Sequence, residues 1–264
     1  MDSDQTPPRR MPATVSELTL LTLNIHMGFA PFNRRFMLPE LKAAVHAVHA
    51  DVVFLQETLG SHAGHALRQA GWPAEAQSEF IADTLWGNVA YGRNAVYADG
   101  HHGNAVLSKF PILRWDNHDI SIVGTEPRGF LHCVLAVPQA GNQPPLEVHA
   151  ICTHLGLREA HRRQQLERLC AFIAELPPDA PLIVAGDFND WRQRAGPLLA
   201  AAGLVDAFVA AGQLSPRSYP ARMPLLRLDR IYVRQVTVAA AQVLSTPPWK
   251  HLSDHAALTA TLQP

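Results

Sequence analysis

Six short apolar runs in this chain end on an acid, an amide or a histidine, and that recurrence constrains the fold more than any other feature. Residues 181–190 read PLIVAGDFND, where Leu182, Ile183 and Val184 form an apolar run bounded by proline and glycine. Such a run suits a strand buried on both faces. It closes on Gly186-Asp187-Phe188-Asn189-Asp190, with two carboxylates and an amide within four residues. Taken alone this is an Asx-rich turn. Its recurrence points instead to an α/β fold with polar groups gathered beyond the strand ends, where such folds bind ligands.

The other runs follow in order. Residues 18–25 (LTLLTLNI) predict a central strand closing on Asn24, and residues 35–49 carry Leu38, Leu41, Val45 and Val48 at helical spacing. Residues 52–55 predict a second buried strand, followed at once by Gln56-Glu57. A helix is expected near 62–69. Residues 71–103 are polar and glycine-rich and read as a long connection, ordered by its aromatics. Residues 104–108 (NAVLS) begin a third strand. Residues 130–137 and 146–153 form an expected hairpin closing on His154. A helix over 159–176 directs Leu166, Leu169, Cys170, Ile173 and Leu176 inward. Its early face carries Arg158, His161, Arg162 and Arg163, either a solvated basic face or a contact for an anionic substrate. A helix near 196–202, a Pro/Arg-rich loop over 215–226, and strands at 228–233, 236–244 and 257–262 complete the chain, the last after Ser253-Asp254-His255. Local pairing combined with helical crossovers predicts mixed sheets with helices outside. No linker divides 17–264, which read as one domain after a flexible, Pro-rich tail over 1–16 that lacks the apolar stretch of a signal peptide.

Composition excludes little but orders the alternatives. With 47% hydrophobic residues among 264, a large core is expected. A formal net charge of -1 gives no global pull toward nucleic acid, though a local basic groove stays possible. Cys133, Cys152 and Cys170 match no metal spacing and read as small core residues in a reducing compartment. No apolar run is long enough for a membrane span, so a soluble, cytoplasmic protein is expected, and a monomer is the expected state.

Asn24, Glu57, His154, Asp187, Asn189, Asp229, Asp254 and His255 stand at the strand ends. Carboxylates and amides without cysteine select a hard cation, Mg²⁺ or Mn²⁺, with Glu57 and Asp254 sufficient for a first ion. His255, beside Asp254 and near Asp229, suggests a general base oriented by a carboxylate. Metal and histidine together describe phosphoester hydrolysis. Each part has a plainer reading: Asn24 as a turn, Asp229 as a salt-bridge partner, His154 as a packed core histidine, Asp254-His255 as a cap. His101-His102 precede a strand and are open to a pocket role.

Taken in order, Leu-Asn-Ile, Gln-Glu, Gly-Asn-Ala-Val-Leu-Ser, Thr-His-Leu, Gly-Asp-Phe-Asn, Leu-Asp-Arg-Ile and Ser-Asp-His resemble the endonuclease/exonuclease/phosphatase superfamily, the DNase I-like fold, over about residues 18–262. The resemblance implies a four-layer α/β sandwich, two mixed sheets face to face with helices outside. It implies Glu57 as main metal ligand, with Asn24 and Asp254 around it. Asp187 would position or deprotonate the attacking water, and Asn189 would hold the phosphate. His255 would bind the scissile phosphate or act as acid/base, oriented by Asp229, with His154 as a second histidine. Asn104 and Arg158 are added as substrate-binding residues. Abasic-site endonucleases carry Asn-x-Asp after the first strand, whereas this chain has Asn24-Ile25-His26. Stretches such as YGRNAVYADGHHGNAVLSKFPI and HLGLREAHRRQQL are similar to a bacterial branch associated with cardiolipin synthases. The expected function is a metal-dependent phosphodiesterase acting on nucleic acid. The alternatives are an enzyme of phospholipid or small-molecule phosphoesters, which possible rim aromatics (Trp72, Trp86, Phe130, Trp249) would suit, and a non-catalytic binding module.

Overall fold

The computed structural model describes residues 15–33, 35–141 and 143–264; the N-terminal tail expected over 1–16 lies almost wholly outside them. In chain order the elements are β1 (Leu18–Asn24), α1 (Leu38–Val48), β2 (Val52–His62), α2 (Ala63–Arg68), α3 (Gln77–Ala82), β3 (Asn88–Tyr97), β4 (Gly100–Ser108), β5 (Ile112–Asp119), β6 (Gly129–Val137), β7 (Leu146–His154), α4 (Glu159–Glu175), β8 (Leu182–Asp187), α5 (Ala195–Ala201), β9 (Val205–Asp206), α6 (Ala207–Ala210), β10 (Asp229–Arg234), β11 (Thr237–Leu244) and β12 (Ala257–Gln263).

They build two six-stranded sheets, ordered β11-β12-β1-β2-β4-β3 and β5-β6-β7-β8-β10-β9. Each is mixed: β1 runs parallel to β2 across α1, β7 runs parallel to β8 across α4, and neighbouring pairs are antiparallel. Both crossovers are helical, as parallel pairing requires. Side chains alternate between faces along each strand. Leu18, Leu20, Val52, Phe54 and Val106 of the first sheet thus meet Leu131, Cys133, Ala150, Ile183 and Ile231 of the second in one core between the sheets. The opposite face of the first sheet, with Leu21, Val53 and Leu107, buries Leu38, Leu41 and Val45 of α1 and Ile81 of α3. The outer face of the second sheet, with Ile151, Leu182 and Val184, buries Leu166, Leu169 and Ile173 of α4 and Leu199 of α5. Three cores separate four layers, so the expected α/β sandwich of two mixed sheets flanked by helices is the observed one.

Several boundaries differ from the sequence reading. The long connection expected over 71–103 holds α3, β3 and the start of β4, with β3 and β4 paired as a hairpin turning at Ala98-Asp99. β3 is an edge strand, exposed at Arg93, Val96 and Tyr97, so it lacks the apolar pattern that marks a buried strand. A Cβ at Gly103 would stand 1.8 Å from the Gly92 carbonyl oxygen, so the glycines there serve strand packing rather than a loop. β5 was not legible for the same reason: its residues are half-buried or exposed throughout. β2 continues to His62 instead of stopping at Leu55, because a register shift between Leu55 and Thr58 carries the strand past Gln56-Glu57. The first helix starts at Leu38, since Phe36 bridges to Phe29 before it. Cys133 and Cys152 are buried, Cys170 half-buried, and all three are free thiols.

Candidate active site

Strand register assembles the site. On the second sheet, His154 pairs with Asp187 across the parallel β7·β8 ladder, and Asp187 pairs with Asp229 across β8·β10. Asp187 and Asp229 continue the inward-facing series of Ile183, Ala185, Ile231 and Val233, so the row points into the space between the sheets at its open end. Asn24 ends the inward series of Leu18 and Leu20 on the first sheet. Its Nδ2 donates to Glu57 Oε1 (3.1 Å) and to Asp187 Oδ2 (3.2 Å), tying the two sheets together.

Local backbone explains why these groups are presented. Glu57 has φ +53° and sits at the β2 register shift, a bulge that aims its carboxylate into the cleft. Gly186 has φ +147°, and a Cβ there would lie 2.0 Å from the Thr153 carbonyl oxygen. Only glycine therefore lets β8 approach β7 closely enough to bring Asp187 beside His154. Ser253 Oγ donates to the Asn24 carbonyl (2.7 Å) and accepts from the His255 amide (3.3 Å), fixing the segment before β12 against β1.

His255 Nδ1 bonds Asp229 Oδ2 at 2.8 Å, while its Nε2 lies 3.7 Å from Asp187 Oδ2. His154 Nε2 is 3.5 Å from the same Asp187 oxygen. Burial opposes a charge on His255, but Asp229 and Asp187 outweigh it and push its pKa up to about 10. Burial raises the Asp187 pKa to about 7, against the pull of His255. Burial, with Arg128 and His255 adding repulsion, holds His154 well below the ordinary histidine value and hence neutral. The buried Asp229 Oδ1 has no hydrogen-bond partner among the described residues. The Asn189 amide donates to Asp187 Oδ1 (2.8 Å), and Asn189 Nδ2 donates to the Leu155 carbonyl (2.8 Å). Asp190 is structural: its Oδ2 accepts from the Ala195 amide at the start of α5.

On the facing side, His26 Nδ1 lies 3.7 Å from Glu57 Oε2 and 3.5 Å from Asp254 Oδ1. The two carboxylates therefore converge on one point. With His154, Asp187, Asn189 and His255 they line a cleft of about 410 Å³, walled by Leu157, Trp191, Tyr219 and Leu226 and by Glu126 and Arg128. Of the residues expected from sequence, Asn24, Glu57, His154, Asp187, Asn189, Asp229, Asp254 and His255 are brought together here.

Two are not. Asn104 is fully buried and its Nδ2 donates to the carbonyls of Gly129 (2.9 Å) and Cys152 (3.4 Å), so it fastens β4 to the second sheet rather than lining the cleft. Arg158 is exposed in an adjoining depression. Arg162 is buried, donates to the Gly156 and Leu157 carbonyls, and lies 4.9 Å from the Trp191 ring centre. The aromatics expected at the rim are elsewhere: Trp86, Phe130 and Trp249 are core residues, and Trp72 stacks on Phe36. His101 bonds the Tyr91 hydroxyl, and His102 reaches Glu126 behind the cleft wall.

His26, Glu126, Arg128, Trp191 and Tyr219 were missed as site residues. Only His26 carried a signal, by standing two residues after Asn24. The others lie on loops that no periodicity marks.

The model of the Endonuclease/Exonuclease/phosphatase family matches residues 21–255. The uncharacterized protein YbhP of Escherichia coli strain K12 is 52% identical over 244 residues, covering 92% of this chain and 95% of that protein. Among solved structures, an endonuclease/exonuclease/phosphatase from Beutenbergia cavernae superposes with TM-score 0.72 at 20% identity, over 94% of this chain and 72% of its own. D. rerio TDP2, solved with a single-strand DNA product, gives TM-score 0.68 at 20% identity, over 95% of this chain and 100% of its own. At these identities the solved structures establish the shared fold alone.

Proposed function

The chain belongs to the endonuclease/exonuclease/phosphatase family, and from that premise we propose that it is a divalent-metal-dependent phosphodiesterase with nuclease-like chemistry. One observation carries the reading. The row His154–Asp187–Asp229, with His255 bonded to Asp229, faces a second group of Asn24, Glu57 and Asp254 across one cleft.

The second group fits a hard cation. Glu57 Oε2 and Asp254 Oδ1 converge within 4 Å of one nitrogen, Asn24 Oδ1 adds an oxygen nearby, and no thiol is present. Glu57, Asp254 and Asn24 would hold Mg²⁺ or Mn²⁺, which when bound would neutralise charge developing on the scissile phosphate.

The chain's own groups divide the remaining work. Asp187, with its pKa near 7, can orient water and accept its proton as the water oxygen attacks phosphorus. His255 is protonated at neutral pH and held by Asp229, so its Nε2 can bind a phosphate oxygen and donate a proton to the departing one. His154, neutral, donates a hydrogen bond without adding charge. Asn189 spends one amide hydrogen on Leu155, which leaves the second for the phosphate.

Nucleic acid suits this chemistry, and the D. rerio TDP2 complex with a DNA product supports that substrate class. A phospholipid or small-molecule diester is a second reading, supported by the exposed apolar side chains of Leu157, Trp191 and Leu226 on the cleft wall.

The test is hydrolysis of bis-p-nitrophenyl phosphate and p-nitrophenyl phosphate with Mg²⁺, Mn²⁺ or EDTA, wild type beside His255→Ala. Metal-dependent diester cleavage, reduced about 10²-fold or more in the variant, is expected. Wild-type turnover in His255→Ala would overturn the role given to that residue.

A further inference from the structure

Beside the catalytic cleft lies a second depression of about 240 Å³, lined by Gly124, Thr125, Gly156, Arg158 and His161 and sharing Glu126, Arg128 and Leu157 with the cleft. The two therefore adjoin across a common wall.

The depression lies at the N-terminus of α4, a 17-residue helix whose N-cap, Arg158, makes no side-chain capping bond. An α-helix leaves its first-turn amides without intrahelical partners, and its dipole favours an anion at that end. A helix terminus alone is a weak sign. The independent one is Arg128, whose side chain is only 9% exposed on this wall and whose buried Nε has no partner among the described residues.

Only one of its nitrogens is committed. Arg128 Nη1 bonds Glu126 Oε2 at 2.6 Å. Glu126 is itself engaged on both oxygens, because the other one takes bonds from Tyr97 and His102. The hydrogen bond from His102 leads the causes that hold this carboxylate well below its usual range. Arg158 and His161 add basic groups on the side away from the scissile site, so the depression is richer in donors than in negative charge.

We infer that this depression is a subsite for a second phosphate of the substrate, one that carries a further phosphate beyond the scissile diester. The inference rests on the phosphodiester reading above and deepens it. The Arg128 guanidinium, the Arg158 side chain and the amides of Glu159 and Ala160 at the start of α4 hold the second phosphate while the first lies between Asp187 and His255; the His161 amide is spent on the Arg158 carbonyl. A nucleotide strand and a glycerol bisphosphate share this chemistry.

Two measurements test it. The first involves no turnover: inorganic phosphate titrated into the full-length, metal-free protein by calorimetry. Binding should weaken about tenfold or more in the Arg158→Ala/His161→Ala double variant, the scale of a lost charge-assisted contact. Arg158 is exposed and His161 half-buried, so the fold should tolerate the change. Equal affinity in both proteins, or no binding to either, would overturn the subsite.

The second measurement compares thymidine 5′-(p-nitrophenyl phosphate) with and without a 3′-phosphate, and glycerol 1-(p-nitrophenyl phosphate) with and without a 3-phosphate. The wild type should favour the bisphosphate by about tenfold in kcat/KM, mainly through KM, with the ratio near one in the double variant. Preference within the nucleoside pair alone identifies a nucleic-acid source; preference in both pairs means that the phosphate itself is read. No preference in either pair overturns the proposal. If phosphate binding depends on Arg158 and His161 while neither diester is cleaved, the reaction assignment falls and the anion site stands.

Discussion

Strand β7 carries two buried histidines, His149 and His154, and the rings beside them, His132 and His255, are pushed in opposite directions. His149 faces the outer side of the second sheet, where its Nδ1 shares a hydrogen bond of 2.9 Å with His132 Nε2 beneath Phe172 of α4. His154, five residues on, faces the open end between the sheets and stands beside Asp187, which also meets His255. Under α4, burial and the neighbouring His149, His118 and Arg114 push His132 down to about 4. In the cleft His255 is equally buried, but Asp229 and Asp187 push it up to about 10. The difference teaches that burial alone does not mark a working histidine. His132, beside His149 and Arg114, stays neutral and packs, and so does His154, repelled by Arg128 and His255, whereas His255, bonded to Asp229 and facing Asp187, holds a proton ready to donate.

The largest effect should come from removing the carboxylate that makes the difference. Asp229→Asn keeps a hydrogen-bonding partner for His255 Nδ1 but no charge. Turnover of bis-p-nitrophenyl phosphate should fall about 10²-fold or more, and the His255 titration followed by NMR should move down from about 10. Unchanged turnover would mean that the pairing is structural, and the contrast between the two regions would lose its functional meaning. The reverse exchange comes next. His149→Glu puts a carboxylate beside His132, and the His132 resonances should then titrate above the ordinary 6.5 instead of near 4. A titration still near 4 would show that desolvation, not the choice of neighbour, sets ionisation on that face.

Much of this contrast was legible in the sequence, and the part that was not has physical causes. Asn24, Glu57, Asp187, Asp229 and Asp254 could be found because each adjoins an apolar strand run, the first three closing or following one, Asp229 opening β10 and Asp254 preceding β12, and a polar side chain there is costly unless it has work to do. The layered fold followed from the same runs, since strands buried on both faces demand covering layers. Arg128 and Glu126 were hidden because they stand on the connection between β5 and β6, with no periodicity and no strand end to mark them. Asn104 misled because it shares that placement. It opens an apolar run, as Asp229 does, but its amide is spent on the Gly129 and Cys152 carbonyls across the sandwich. Glu57 could be named but not its mechanism of presentation, because the register shift at Leu55/Thr58 depends on the partner strand β4. The His132–His149 pair likewise needs the β6·β7 alignment, which brings together residues seventeen apart in the chain.

The smallest effect is on stability, and its sign differs between the two regions. His132 has a folded-state pKa near 4, below the ordinary 6.5. Between those values the unfolded chain binds a proton that the folded one refuses, so this histidine favours folding at pH 7 and its contribution is lost as pH falls from 6.5 toward 4. His255, raised to about 10, acts oppositely: its stabilisation is complete below 6.5 and is lost as pH rises through 10. Asp187, raised to about 7, opposes His132 over the acidic range, because its folded form holds a proton that the unfolded chain releases. The absolute profile therefore mixes terms, and a difference is needed to separate them. His132→Gln retains a partner for His149 without a titrating ring, so the variant should lose less stability than wild type between pH 7 and pH 4.5. Discounted for solvent screening, the difference should be on the order of 1 kcal/mol in urea unfolding. Parallel profiles for the two proteins would mean that His132 titrates normally, and that the outer face of β6 is no more hostile to charge than water.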